Sequence, residues 1–180
     1  VFLFVGRIKK DKGIFELVRA FKNISKKNIK TALLIIGPDE DGTGEQLKDY
    51  SSQYAIGVVT VLPFMKNPET SLISADVLIL PSFREGIGNV VLEAAAMGIP
   101  SIGSNIYGIS DAIQDGQTGQ LFTVGDSYDL SIKMKNLLTQ DDTRKELGFC
   151  AYQRVVRFFS QENILGHFLE YYRSLNIEDS

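Results

Sequence analysis

The feature that most constrains the fold of this chain is a set of short, nearly continuous apolar runs, each followed by a stretch of helical periodicity. The runs are Val1–Val5, Thr31–Ile36, Val58–Leu62, Val77–Leu80, Ser101–Gly103 and Gly119–Phe122. A strand with one wet face alternates apolar and polar residues, whereas an unbroken aliphatic run fits a strand covered on both sides. Between the runs, Phe15, Val18, Phe21 and Ile24 recur at helical spacing, as do Leu130, Met134, Leu137 and Leu138. Strands that alternate with helices need crossover connections. The expected fold is therefore α/β, a Rossmann-like, mostly parallel sheet of about six strands with helices on both faces. The aromatic and methionine positions on the helical stripes read as core. Towards the end, Asp141 or Asp142 is placed to cap a helix running to about Phe158. Ser160 is placed to cap another helix, carrying Ile164, Phe168, Leu169, Tyr172 and Leu175.

One strand-loop-helix segment carries chemistry. The run Asp76–Leu80 is stopped by Pro81, a loop containing Glu85, Gly86, Ile87 and Gly88 follows, and a helix begins near Asn89 with Glu93 about one turn in. Glycines at 86 and 88 remove Cβ atoms where a ligand would approach the backbone. The first amides of the new helix lack internal partners and favour an anion. Glu85 and Glu93 are eight positions apart, roughly 12 Å if the interval were helical, so their carboxylates can serve hydroxyls on opposite sides of a bound diphosphate. Either carboxylate alone reads equally well as a solvated surface group. It is the spacing, the paired glycines and the strand-loop-helix setting together that favour a site.

The residues Glu85, Gly86, Gly88, Asn89, Leu92, Glu93, Ala94, Gly98 and Pro100 resemble the Glu-x7-Glu motif of glycosyltransferase family 4, whose members have the GT-B architecture of two facing Rossmann-like domains. The resemblance implies a metal-independent enzyme that retains anomeric configuration. It gives Glu85 the hydroxyls of the donor sugar, Gly86, Ile87, Gly88, Asn89 and Val90 the sugar and phosphates through the backbone, and Glu93 the ribose. It also implies that Glu85 positions the sugar for front-face attack by the acceptor. The chain opens directly on an apolar strand with no initiator methionine or polar leader. It is accordingly expected to be one donor-binding domain spanning 1–180, cut from a longer protein, with the helix at about 160–175 packing on an N-terminal acceptor domain. A fragment of that kind would not turn over by itself.

The other end of the ligand is read from the first strand. Gly6-Arg7 closes it, a short polar loop follows, and Lys12-Gly13 opens the next helix, so two cations bracket the carboxyl edge of the sheet, where open α/β sheets bind ligands. A diphosphate is their natural partner. The resemblance assigns the same role to Arg7 and Lys12, with Gly6 beside them. It also places the nucleobase at Pro63, Phe64 and Met65 after the third strand, held mainly by main-chain groups, with UDP favoured over GDP or ADP. The implied acceptor is a glycan or lipid-linked sugar, as in bacterial surface polysaccharide synthesis. The full-length protein would then be cytoplasmic, at the inner face of the membrane.

Composition narrows the alternatives. A chain of 180 residues with 44% hydrophobic and 23% charged content has the make-up of a globular protein, and no apolar run approaches the ~20 residues that cross a bilayer. A net charge of -3 argues against a nucleic-acid partner. The single cysteine, Cys150, can form no internal disulfide and reads as packing. Asp39-Glu40-Asp41 matches an Asp-x-Asp metal string but sits in a Gly/Pro-rich loop and reads as a solvated turn, so no metal is expected. Gly42-Thr43-Gly44 lacks the remainder of a dinucleotide fingerprint, and neither NAD nor any other cofactor is expected. There is no Gly-x-Ser-x-Gly elbow to go with His167, the only histidine. Asp115–Gly119 reads as a turn. Two other readings stay open: a UDP-sugar 2-epimerase of GT-B type, which would need acid and base groups not seen in these residues, and a noncatalytic nucleotide-sugar-binding module.

Overall fold

The computed structural model describes residues 1–25, 31–54, 57–64, 69–160, 163, 169 and 171–173. Six parallel strands form one sheet: β1 (Phe2–Val5), β2 (Ala32–Ile36), β3 (Val58–Leu62), β4 (Val77–Leu80), β5 (Ser101–Ser104) and β6 (Gly119–Phe122), in the order β3-β2-β1-β4-β5-β6. Each lies within a residue of the run that predicted it. The order reverses direction at β1, which pairs with β2 on one side and β4 on the other, so Phe2 faces both Leu33 and Val77 in register. All four residues of β4 are buried, whereas the edge strand β3 is half exposed, with Val58 at 62%. Continuous apolar sequence therefore marks the centre of the sheet best, since only there are both faces covered.

Helices occupy the connections: α1 (Ile14–Ser25), α2 (Thr43–Gln53), α3 (Glu69–Leu72), α4 (Asn89–Ala96), α5 (Ile109–Ala112), α6 (Ser127–Thr139) and α7 (Asp141–Phe158). The helix α1 lies against α6, and α4 against α7. The stripe of α1 is broader than its spacing suggests, since Ile14, Leu17 and Ala20 are buried along with Val18, Phe21 and Ile24, while Phe15 is only half-buried. On α6, Leu130, Met134 and Leu137 are buried as expected, and the Asp126 side chain caps the helix by accepting from Tyr128 and Asp129 amides.

The start of α7 departs from expectation. Neither Asp141 nor Asp142 caps it; the cap position belongs to Gln140, whose side chain makes no capping bond. Asp141 stands one residue further in, where its carboxylate pairs with Arg144 at 2.5 Å and Lys145 at 3.3 Å and faces the positive end of the helix. Those hydrogen bonds, from Lys145 first and then Arg144, hold the Asp141 carboxyl below its ordinary range. Beyond α7, Ser160 Oγ accepts from the Asn163 amide at 3.3 Å, the bond expected of a cap. Leu169 and Tyr172 are exposed. Ile164, His167, Phe168 and Leu175 lie outside the described residues. Cys150 is a free, half-buried thiol on α7, and no helix among the described residues is long and apolar enough to cross a membrane.

Candidate functional site

The reversal of strand order at β1 brings together two loops that are distant in sequence. The loop after β1 runs through a 3-10 turn at Lys10–Lys12 before α1, so Lys12 stands on that turn and not inside the helix. The loop after β4 is Pro81–Gly88, leading into α4. The two are fastened together through backbone. The Phe83 amide donates to the Asp11 carbonyl at 3.0 Å, and Gly13, at φ 67°, approaches Pro81 so closely that a Cβ there would lie 2.0 Å from the Pro81 carbonyl oxygen. Only glycine fits this crossing, which is why Gly13 follows Lys12 in the sequence.

That contact sets the charged centre. Lys12 Nζ donates to Glu85 Oε2 at 2.7 Å, and the Ser82 hydroxyl donates to the same oxygen at 3.2 Å. Ser82 is fully buried, while the Lys12 and Glu85 side chains retain 12% and 22% exposure. The pair is thus largely shielded yet reachable from solvent, where charge-assisted bonds are stronger than at an open surface. Following Glu85, Gly86 and Ile87 are exposed, and the Cβ direction of Gly86 points into open space. Gly88 differs: it is buried at φ 66°, and a Cβ would press on Leu80 at 3.0 Å, so local backbone and packing already require it. As the cap residue of α4 it offers no side-chain acceptor, which leaves the first amides of the helix, at Asn89 and Val90, without a side-chain cap.

Arg7 belongs to a neighbouring part of the same edge. The ladder continues past the strands, with the Gly6 amide donating to Ile36 O at 3.0 Å, Ile8 to Pro38 O at 2.8 Å and Gly37 to Leu62 O at 3.2 Å. Val5, Gly6, Arg7, Ile36, Gly37, Pro38 and Phe64 enclose a cavity of about 240 Å³. Its lining is mostly apolar, with Arg7 as the cation and the 67% exposed Phe64 as the aromatic wall. Pro63 lines an adjoining hollow with Gly37, Pro38 and Lys48, and Met65 lies outside the described residues. Glu93 is exposed on α4 and makes no ion pair or side-chain hydrogen bond with another described residue. The structure therefore joins Lys12 directly to Glu85 and Gly6 to Arg7 and Phe64, but it gives Glu93 no direct link to either group.

Two participants escaped the sequence reading. Glu40 is not merely solvated: it pairs with Lys9 at 2.5 Å and with Arg7 at 3.7 Å, and the Lys9 hydrogen bond, above all, holds its carboxyl below the ordinary range. Its neighbours do form a turn, Asp39 accepting from the Gly44 amide at 3.1 Å and Asp41 from the Thr43 amide at 3.2 Å. Ser82 is the second. Its place three residues before Glu85 was the available signal.

Comparison with known proteins now bears on this geometry. The sequence profile described as "Glycosyl transferases group 1" matches residues 1–154. The chain belongs to the group 1 glycosyltransferases. CapM of Staphylococcus aureus, a capsular polysaccharide biosynthesis glycosyltransferase, is 34% identical over 161 residues, which are 89% of this chain and 42% of CapM. This group 1 chain therefore spans less than half the length of that relative. Among solved structures, sucrose-phosphate synthase from Thermosynechococcus elongatus superposes with TM-score 0.86 at 28% identity, over 99% of this chain and 46% of the synthase. HepE of Anabaena, solved in complex with UDP and glucose, superposes with TM-score 0.86 at 18% identity, over 96% of this chain and 48% of HepE. The likeness to HepE speaks for the fold alone, which is the Rossmann-like fold found in GT-B glycosyltransferases.

Proposed function

We propose that this chain is the donor-binding half of a retaining family 4 glycosyltransferase. On this reading it presents a nucleotide-linked sugar, UDP-linked before GDP- or ADP-linked, to a glycan or lipid-linked acceptor held by a facing domain. The observation that carries the reading is the shielded Lys12–Glu85 pair, at 2.7 Å, next to a helix start with no side-chain cap. A sugar diphosphate supplies what both lack: phosphate oxygens for the ammonium and amides, and hydroxyls for the carboxylate. Arg7 is held only loosely by Glu40, at 3.7 Å with 54% of its side chain exposed, so it can turn to the second phosphate. The cavity bounded by Gly6, Arg7 and Phe64 has the apolar lining that a nucleobase would fill. Glu93, exposed and without an ion-pair or side-chain hydrogen-bond partner among the described residues, can accept from ribose hydroxyls.

The chemistry follows from charge development. As the sugar-phosphate bond breaks, negative charge grows on the departing diphosphate, and Lys12, Arg7 and the α4 amides stabilise that state more than the ground state. Glu85, held in place by Lys12 and Ser82, keeps the sugar oriented while the acceptor attacks from the same face. The cations meet the charge of the diphosphate, so the reading needs neither a metal nor another cofactor. The part CapM plays in capsular polysaccharide biosynthesis and the UDP and glucose bound to HepE support a UDP-sugar donor and an acceptor in surface polysaccharide assembly. Such an acceptor would bring the whole protein to the cytoplasmic face of the membrane.

Calorimetric titration of the chain with UDP, GDP, ADP and UDP-sugars tests the reading. UDP is expected to bind most tightly of the three nucleotides. Lys12→Ala should weaken it by about 10- to 100-fold, the range for losing a hydrogen bond to a charged group. Glu93→Ala should weaken UDP less but measurably. If neither substitution changes the affinity, the site assignment is wrong.

A further inference from the structure

A third loop adjoins the Glu85 turn. The segment Asn105–Gly108 follows β5 at the same carboxyl edge, and its backbone sits directly on the turn: a Cβ built on Gly108 would lie 2.1 Å from the Gly86 carbonyl oxygen and 3.0 Å from that of Glu85. The segment is well fixed. The Asn105 amide donates to Phe122 O at 2.7 Å, the Ile106 amide to Ser104 O at 2.8 Å, and the Ser110 amide to Ile106 O at 3.0 Å, while Ile109 is fully buried beneath it.

The residue just before the contact, Tyr107, has its side chain almost wholly in water. At 87% exposure it is the most exposed of the large apolar and aromatic side chains among the described residues. Across the contact, Ile87 follows Gly86 and is 52% exposed. A single exposed aromatic residue is unremarkable on most surfaces. This one stands on a fixed loop packed against the backbone that presents Glu85, with a second exposed apolar side chain one residue from the same contact.

Tyrosine offers an apolar ring and a polar tip, and it loses little conformational entropy when covered. A hexopyranose has the complementary form, with an apolar face of axial C–H bonds and a rim of hydroxyls. We propose that Tyr107, together with Ile87, forms a stacking face for a hexose ring whose hydroxyls are held by Glu85. The proposal rests on the donor-site reading above and adds a residue that selects the sugar. The ring could come from the nucleotide-linked sugar or from a free glycan, and the two sources separate in the test.

The chain and its Tyr107→Ala and Tyr107→Phe variants would be titrated with UDP, with UDP-glucose, UDP-galactose and UDP-N-acetylglucosamine, and with maltotriose and cellotriose. Substitution at so exposed a position should leave the fold intact. Tyr107→Ala is expected to lose about 3- to 10-fold in affinity for the best-bound sugar ligand while UDP binding stays unchanged, and Tyr107→Phe should keep wild-type affinity for both. A loss confined to UDP-sugars assigns the ring to the donor; a loss confined to oligosaccharides assigns it to the acceptor. Equal affinities of wild type and Tyr107→Ala for every sugar ligand, with UDP still bound, would overturn the stacking face and leave the donor-site reading standing. Absence of UDP binding by the unsubstituted chain would overturn both.

Discussion

A carboxylate that accepts from both a lysine and a buried serine is held far more firmly than one in a solvated loop, and Glu85 is in that position through Lys12 and Ser82. Glu40 is the opposite case, an acidic side chain on the surface whose ion-pair partners among the described residues are Lys9 and Arg7. Because the Lys9 hydrogen bond lowers the Glu40 pKa in the folded chain, unfolding raises it and takes up a proton in the acid range. The contribution of Glu40 to stability is therefore complete above the ordinary glutamate pKa and is lost as pH falls through the lower, folded value. Glu40→Gln should melt below wild type at pH 7, with the difference closing towards pH 3; thermal melts across that range check it, and a difference independent of pH would refute the pairing. These partnerships were hidden in the sequence because they are contacts across loops. Glu85 and Arg7 could be picked out by motif and position, but nothing in Asp39-Glu40-Asp41 tells which of three neighbouring acids reaches back to the first loop.

Among the elements, the sheet was the part most open to reading, for a physical reason. A strand buried on both faces must be apolar throughout, so β1, β2 and β4 announce themselves, and Pro81 marks where β4 ends. Helix starts were harder. Several side chains can cap, and the choice between Gln140 and Asp141 is decided by where the backbone leaves φ -113°, ψ 82° at Gln140 and enters helical values, which composition does not record. The crossing of Gly13 over Pro81 was also invisible, since it depends on how two loops meet and not on either alone. It makes a sharp prediction. Gly13→Ala introduces a Cβ 2.0 Å from a backbone oxygen at a φ of 67°, and it should destabilise the chain by about 2 to 4 kcal/mol in urea denaturation. A loss under about 0.5 kcal/mol would show that the loops can part without cost.

For the molecule as a whole, the order β3-β2-β1-β4-β5-β6 places the candidate site at the reversal between β1 and β4, the position where open α/β sheets take ligands. Alternating strands and helices implied a parallel sheet, but they do not state which strands become neighbours, so the meeting of residues 12 and 85 is information carried by topology. Binding there should stabilise the entire fold. UDP at one hundred times its dissociation constant is expected to add about 2.7 kcal/mol and raise the melting temperature by roughly 5 to 10 °C, readable by scanning calorimetry, with the Lys12→Ala variant showing a much smaller rise. The pairing of β1 with β4 has a kinetic corollary. These strands are adjacent in space but about seventy residues apart along the chain, and closing so long an interval is slow relative to forming helices. A nascent chain that has emerged only through β3 carries Lys12 but has no Glu85 to pair with it, so nucleotide capture would report that synthesis and sheet assembly have passed the fourth strand.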